Sequence, residues 1–293
     1  MGRRDPGTSV RPAVTVIAFE KWQALGNDYL IVEAQRLADP LSAAQVRALC
    51  HRHFGIGADG LLLLSPPSRL PFVADLRIFN PDGSEAELSG NGAREAIMYL
   101  HRRGWTDRRE FSIQTIAGEI RPTILDDARC RVDMGRAKLT SAKDFPSGDA
   151  DGRGEVAGHA FQFVSIGNPQ CAIAIGDPDA LDLSAIGPGI ERNPLFPNRT
   201  NVSFYAPLDA HAIRARIFER GVGETLSSGT GATGAAVAHV LRGGRSPVTV
   251  RLDGGELEVE VGDDLRVHLT GWAVPVFRGE IDLDAQPYPD STA

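Results

Sequence analysis

The sequence predicts an α+β fold made by duplicating one strand-rich unit. Segments that alternate apolar and polar residues outnumber those with a 3.6-residue period. The order strand, glycine loop, helix, glycine stop occurs twice. Sliding the second half over the first by 139 residues lays Arg77-Ile78-Phe79 on Arg216-Ile217-Phe218 and Glu85 on Glu224. The same shift lays Ser89-Gly90-x-Gly92-Ala93 on Ser228-Gly229-x-Gly231-Ala232. An offset of 141 puts Gly26-Asn27 on Gly167-Asn168. Two matches in the same order at nearly equal offsets indicate a duplicated domain, and two large copies do not make a solenoid.

The elements follow in order. "VTVIAFEKWQALGNDYLIVEAQ" reads as strand, tight turn at Gly26-Asn27-Asp28, strand. "PLSAAQVRALCHRHF" reads as a helix capped by Ser42, with Val46, Leu49 and Cys50 at helical spacing. "GADGLLLLSPP" is a buried strand, and "ADLRIFNPDGSEAE" a strand entering a Pro-Asp-Gly turn. "SGNGAREAIMYLHRRG" is a helix that stops at Gly104. "FSIQTIAGEIRPTIL" and "CRVDMG" alternate as strands. In the second half "HAFQFVSIGNPQCAIAI" is strand, turn, strand, and "AIRARIFERGVGETLSSGTGATGAAVAHVLRGG" is strand, loop, helix. "PVTVRL", "ELEVEV", "LRVHLTG" and "VPVFRGEI" are further strands. The polar run after Met134 places a domain boundary at 132/133. Residues 1–15, rich in Arg, Gly and Pro, read as a disordered extension, and 286–293 as a tail.

Composition narrows the function. With 293 residues, 42% hydrophobic and 24% charged, the chain fits two ordinary globular domains. A net charge of −7 without a basic stripe disfavours nucleic acid as a partner. No apolar run is long enough to span a membrane. Cys50, Cys130 and Cys171 are odd in number and widely spaced, which argues for a reducing, cytoplasmic setting rather than a disulfide framework. The seven scattered histidines show no metal-ligand spacing, so no metal is expected. "GIGADG" (Gly55 to Gly60) matches G-x-G-x-x-G, but a helix precedes it and a strand follows, the reverse of a dinucleotide site.

The duplicated feature carries the chemistry. The first N–H groups of a helix have no internal partner, and the helix dipole adds positive potential there. Glycines leave those groups open, so each serine-led entry is either an ordinary N-cap or a cradle for a carboxylate or phosphate. Facing each other about a pseudo-twofold axis, Ser89 and Ser228 would flank one substrate carbon from opposite sides.

"GNDY", "HRHFGIGADGLLLL", "RIFNPDGSEAELSGNGAR", "VSIGNPQC", "NRTNVSF" and "FERGVGETLSSGTGA" together resemble the ordered motifs of the diaminopimelate epimerase family. The resemblance runs from about Phe19 to His239. It implies two similar domains, each a curved, mostly antiparallel sheet around a central helix, with the active site in the interdomain cleft. One domain would comprise 16–132 with a returning segment 274–285, the other 133–273. It further implies a cofactor-free inversion of one α-carbon of diaminopimelate, a homodimer, and two catalytic positions at Ser89 and Ser228. The substrate-binding positions carried over are Asn27, Asn80, Gly90, Asn91, Asn168, Asn201, Glu219, Arg220, Gly229 and Thr230.

Three departures from the family pattern involve four residues. Both catalytic cysteines are serine, the "GNPH" histidine is Gln170, and a cysteine often found in the first helix is Glu95. Two-base inversion needs one group ionised and its partner protonated. A thiol starts near pKa ~8.5, and a helix terminus lowers that by about 1.5 units. An alkanol lies closer to water's ~15.7, so serine alone is a poor base. Three readings stay open: an epimerase whose serines are activated by Glu219 or Glu95, an isomerase or lyase acting on another amino acid, and an amino-acid-binding protein without turnover.

Overall fold

The computed structural model describes residues 16–283. The extension expected at 1–15 and the tail at 286–293 lie outside them. Strands outnumber α-helices nineteen to four among the described residues, so the strand-rich reading holds.

The first sheet runs Val274–Asp282, Val16–Ala24, Asn27–Glu33, Gly60–Ser65, Ala74–Phe79, Ile113–Thr115, Gly118–Ile120. The second begins Arg153–Val156, His159–Ser165, Pro169–Ala174, Asn201–Asp209, Ala212–Glu219, Val248–Leu252, Gly255–Val261. These two paths match strand for strand, including their parallel pairs. Asn27–Glu33 lies parallel to Gly60–Ser65 as Pro169–Ala174 does to Asn201–Asp209. Ala74–Phe79 lies parallel to Ile113–Thr115 as Ala212–Glu219 does to Val248–Leu252. The remaining neighbours pair antiparallel. The duplication read from the sequence is therefore present in the hydrogen-bond ladders. It recurs in side chains too: Arg77 Nε meets Glu85 at 2.7 Å, and Arg216 Nε meets Glu224 at 2.8 Å.

The second sheet continues through Arg266–Trp272, Arg129–Arg136 and Pro122–Ile124. The chain thus changes sheets between Ile120 and Pro122, upstream of the boundary read at 132/133. The polar run after Met134 marks a surface connection, whereas sheet membership is set by pairing of Arg129–Arg136 with Arg266–Trp272. Val274–Asp282 returns to pair with Val16–Ala24.

Four helices complete the fold: α1 (Ala43–Cys50), α2 (Gly90–Arg102), α3 (Leu183–Glu191) and α4 (Gly229–Leu241). Each sheet wraps a central helix, α2 in the first half and α4 in the second. Asn91 to Leu100 of α2 are all buried. Trp22, Ile97 and Leu100 share one continuous core with Ile217, Ala235 and Val259 of the other half. α1 covers the outer face of the first sheet, packing Val46 and Leu49 near Leu61 and Leu63. α3 covers the second, packing Leu183 and Ile190 near Phe204 and Phe218.

Ser42 caps α1 as expected, in a reciprocal capping box with Gln45. α3 and the strand Asn201–Asp209 were not anticipated. The sequence of α3 contains Gly187, Pro188 and Gly189, which read as breakers. It forms because Asp182 caps it, accepting from Ala185 N at 3.1 Å, and because Leu183 and Ile190 are buried. Gly187 belongs there for close approach: a Cβ would sit 2.5 Å from the Phe218 ring. No helix among the described residues is long and apolar enough to cross a membrane.

Candidate active site

α2 and α4 begin in the same way. Ser89 and Ser228 hold extended backbone just before their helices, and each Oγ accepts from the N–H three residues on, Gly92 or Gly231, at 3.1 Å. The N-cap reading is therefore correct, but it does not exhaust the feature. The two helix starts abut: a Cβ on Gly90 would lie 3.5 Å from Gly229 Cα. A Cβ on Gly231 would stand 2.7 Å from the Ile217 side chain, so only glycine lets α4 settle this close to its strand.

The helix starts open into a cleft of about 1010 Å³ between the halves. All twelve positions carried over from the resemblance line it: Ser89, Ser228, Asn27, Asn80, Gly90, Asn91, Asn168, Asn201, Glu219, Arg220, Gly229 and Thr230. Fixed neighbours hold most of the amides. Asn27 donates to Asp59 at 2.8 Å, and Asn80 to Ser84 Oγ at 3.0 Å. Asn168 donates to Thr230 Oγ1 at 3.2 Å and accepts from Gln170 at 2.7 Å. Gln170, fully buried, thus orients a cleft amide from behind. Asn201 accepts the Arg220 N–H at 2.7 Å, and the exposed Arg220 guanidinium donates to Asn198 O at 2.9 Å.

The carboxylates divide by surroundings. Burial pushes the Glu219 carboxyl above its usual range, and a hydrogen bond from Ser228 draws it partly back. Glu95 is also pushed up by burial, but it lies in the core and does not line the cleft. Of the two acids expected to activate the serines, the structure brings only Glu219 to the site. Glu95 is 0% exposed.

Sequence reasoning missed three contributors. Tyr29 donates its hydroxyl to Ser89 Oγ at 3.0 Å. Ser227 Oγ accepts from Asn91 Nδ2 at 3.0 Å, joining the halves at the cleft floor. Arg52 lies at the mouth and pairs with Asp28 at 2.8 Å and Asp59 at 2.6 Å, while Lys21 meets Asp28 at 2.6 Å. Burial works against the Asp28 charge, but these two cations overcome it and hold its carboxyl below the usual range. The signal for this cluster was present in "GNDY" and "GADG", whose acids, Asp28 and Asp59, were given a place in a turn and a strand but no partner. Among the described residues no group of His, Cys, Asp and Glu is arranged to hold a metal ion.

Two like domains meeting at a cleft, each contributing a helix entry, define the fold of the proline racemase and PhzF type. A probable proline racemase from Agrobacterium radiobacter superposes with a TM-score of 0.67 at 17% identity, covering 92% of this chain and 94% of that one. A PhzF-family phenazine biosynthesis protein from Bacillus anthracis gives 0.66 at 18%, covering 91% and 99%. Within that fold, the diaminopimelate epimerase family model matches residues 19–140 and 162–276. A diaminopimelate epimerase from Aromatoleum aromaticum is 43% identical over 277 residues, covering 92% of this chain and 99% of the relative. Another from Moorella thermoacetica is 41% identical over 279 residues, covering 91% and 99%. The chain belongs to the diaminopimelate epimerase family.

Proposed function

We propose that the protein is a cofactor-independent epimerase that interconverts LL- and meso-diaminopimelate by proton transfer at one α-carbon. It would act in the cytoplasm as a homodimer on this small amino acid, without a nucleic-acid or membrane partner, in lysine and peptidoglycan precursor synthesis. The observation that carries the reading is the pair of abutting helix entries led by Ser89 and Ser228, in a chain of this family.

The arrangement suits the chemistry. Removing an α-proton leaves negative charge that spreads into the adjacent carboxylate. Unpaired N–H groups at the starts of α2 and α4 are fixed dipoles suited to that charge. In this reading Glu219 and Arg220 are the opposite charges offered to the substrate's ammonium and carboxylate groups. The amides of Asn27, Asn80, Asn168 and Asn201 orient the remainder.

Serine as the proton acceptor is made workable by Glu219. As Ser228 Oγ takes the α-proton, the hydroxyl's own proton passes to the Glu219 carboxylate, so no free alkoxide accumulates on that face. The carbanion then receives a proton from Ser89 on the opposite face, which inverts the centre. Taken backward, the same path starts from the form in which the forward step ends, with Glu219 protonated and Ser89 ionised. A carboxylate whose pKa is raised by burial is a stronger base than an ordinary one, as this step requires.

The test is stereochemical. The purified protein is incubated with LL-diaminopimelate and the stereoisomers are separated by chiral chromatography. Appearance of the meso isomer, and of LL from meso, is expected. Neither conversion at high protein concentration would remove the epimerase reading.

A further inference from the structure

The two halves of the site are not chemically equivalent. At the offset of 139, Glu219 corresponds to Asn80, so the carboxylate of the second half has only a neutral amide as its counterpart in the first, and that amide turns to Ser84 at 3.0 Å. At the offset of 141, Tyr29 corresponds to Gln170. Tyr29 reaches Ser89 Oγ at 3.0 Å, whereas the Gln170 amide turns to Asn168 at 2.7 Å. The duplication is broken at Tyr29 and Glu219, the residues that hydrogen-bond the two serines.

Tyr29 is fixed where it stands. Its ring packs on the backbone of Gly60, where a Cβ would be 2.5 Å from the ring edge, and it is 7% exposed. Burial, together with nearby Glu95, Glu219 and Asp59, keeps its hydroxyl protonated and hence a donor. Ser89 Oγ therefore accepts two hydrogen bonds, from Tyr29 and from Gly92 N at 3.1 Å. A hydroxyl has two lone pairs and one proton. With both lone pairs engaged, the proton of Ser89 is left to point into the cleft. Ser228 differs: its Oγ accepts from Gly231 N at 3.1 Å, no tyrosine among the described residues donates to it, and a hydrogen bond links it to Glu219 instead.

Resting on the epimerase reading, we propose that Tyr29 is the positioning residue of the Ser89 face, holding Ser89 Oγ as an acceptor so that this serine presents its proton to the substrate. Ser228 with Glu219 is then the proton-abstracting face for one stereoisomer, and Ser89 with Tyr29 the delivering face. When Ser89 gives its proton to the α-carbon, the O–H bond breaks and a C–H bond forms. The charge left on Oγ is met by the Tyr29 O–H and the Gly92 N–H. After release, water reprotonates Ser89, and the hydroxide formed takes the proton that Glu219 gained, so both groups return to their starting forms.

The contact can be measured without turnover. In a Ser89→Cys variant, the pH dependence of iodoacetamide alkylation gives the pKa of the introduced thiol. The native cysteines do not interfere, since all three are buried and burial pushes the Cys50 and Cys130 thiols up to about 12 and the Cys171 thiol well above its usual range. Adding Tyr29→Phe removes one donor to the sulfur and keeps the ring. The expected result is a higher thiol pKa and an alkylation rate near neutral pH lower by about threefold to tenfold. An unchanged pKa and rate overturn the proposal. With Ser89 in place, Tyr29→Phe is expected to lower kcat and leave KM nearly unchanged; an unchanged kcat overturns the proposal equally. Because alkylation needs no substrate, a failed epimerase assay on the unaltered protein is distinguishable from a failed Tyr29 contact.

Discussion

Asn91, in the first turn of α2, donates to Ser227 Oγ of the other half at 3.0 Å, and its own carbonyl oxygen accepts from Arg94 at 2.5 Å. Arg94 is 0% exposed, and its other partner is Gly90 O at 3.1 Å. One amide thus ties the two halves at the cleft floor and satisfies part of a buried cation. Asn91→Ala removes these contacts, together with a longer donation to Ser227 O at 3.3 Å, and leaves the guanidinium underpaired, which costs about 2–4 kcal/mol. Ser227→Ala removes only the bond to Oγ and keeps the one to the backbone carbonyl, at about 1 kcal/mol. Urea denaturation of the two variants separates these effects. Equal losses would mean that the Arg94 contact carries no weight.

Glu219→Gln removes the acceptor for the Ser228 proton while keeping the side chain's shape. The rate of α-proton exchange is expected to fall by about 10²- to 10⁴-fold. The pH profile should change with it. The base must be ionised to act, and burial raises its pKa from 4.5, so the ascending limb lies above the ordinary carboxylate range. That limb should be missing from the residual activity of the variant. A limb that persists unaltered assigns the ionisation to another group.

Glu95 gives a prediction about stability. Its folded-state pKa is raised well above 4.5 by burial, so the folded protein holds a proton that the unfolded chain loses. The associated stability is present below the unfolded pKa and is lost as pH rises toward the folded value. Glu95→Gln mimics the protonated form at every pH. The variant should melt at a higher temperature than the parent near pH 7 and at a similar one near pH 4. A lower melting temperature near pH 7 would show an ionised Glu95 compensating Arg94.

Replacing both serines by cysteine tests the cost of the hydroxyls. A thiol begins near pKa ~8.5, an alkanol lies far above that and close to water, and each helix start favours the anion. Ser89→Cys with Ser228→Cys should raise epimerisation by on the order of tenfold or more. A folded double variant with no gain would show that proton abstraction by serine is not what limits the rate.

The parts of the fold that could be read from sequence are those written twice. "SGNGA" and "SGTGA" located both helix entries, because a glycine-led helix start needs the same residues wherever it occurs. The amides carried over by family resemblance line a single cleft for the same reason. What escaped notice depends on distance or on packing. Tyr29 and Ser89 are 60 residues apart, and their contact exists only because Gly60 leaves room for the ring. α3 contains residues that disfavour helices and is held by its cap and its buried face. Glu95 reads as a surface acid in sequence, yet α2 is a central helix with no exposed side over its first turns.

The central claim is that this serine pair exchanges an α-proton, and solvent exchange in D₂O measures that step directly. Proton NMR follows the α-hydrogen signals of LL- and meso-diaminopimelate incubated with the protein. Loss of α-hydrogen signal from both isomers, abolished in the Ser89→Ala and Ser228→Ala double variant, is the expected result. Undiminished α-hydrogen signals at high protein concentration, with binding of either isomer still detectable by calorimetry, would contradict the account and leave an amino-acid-binding protein in its place.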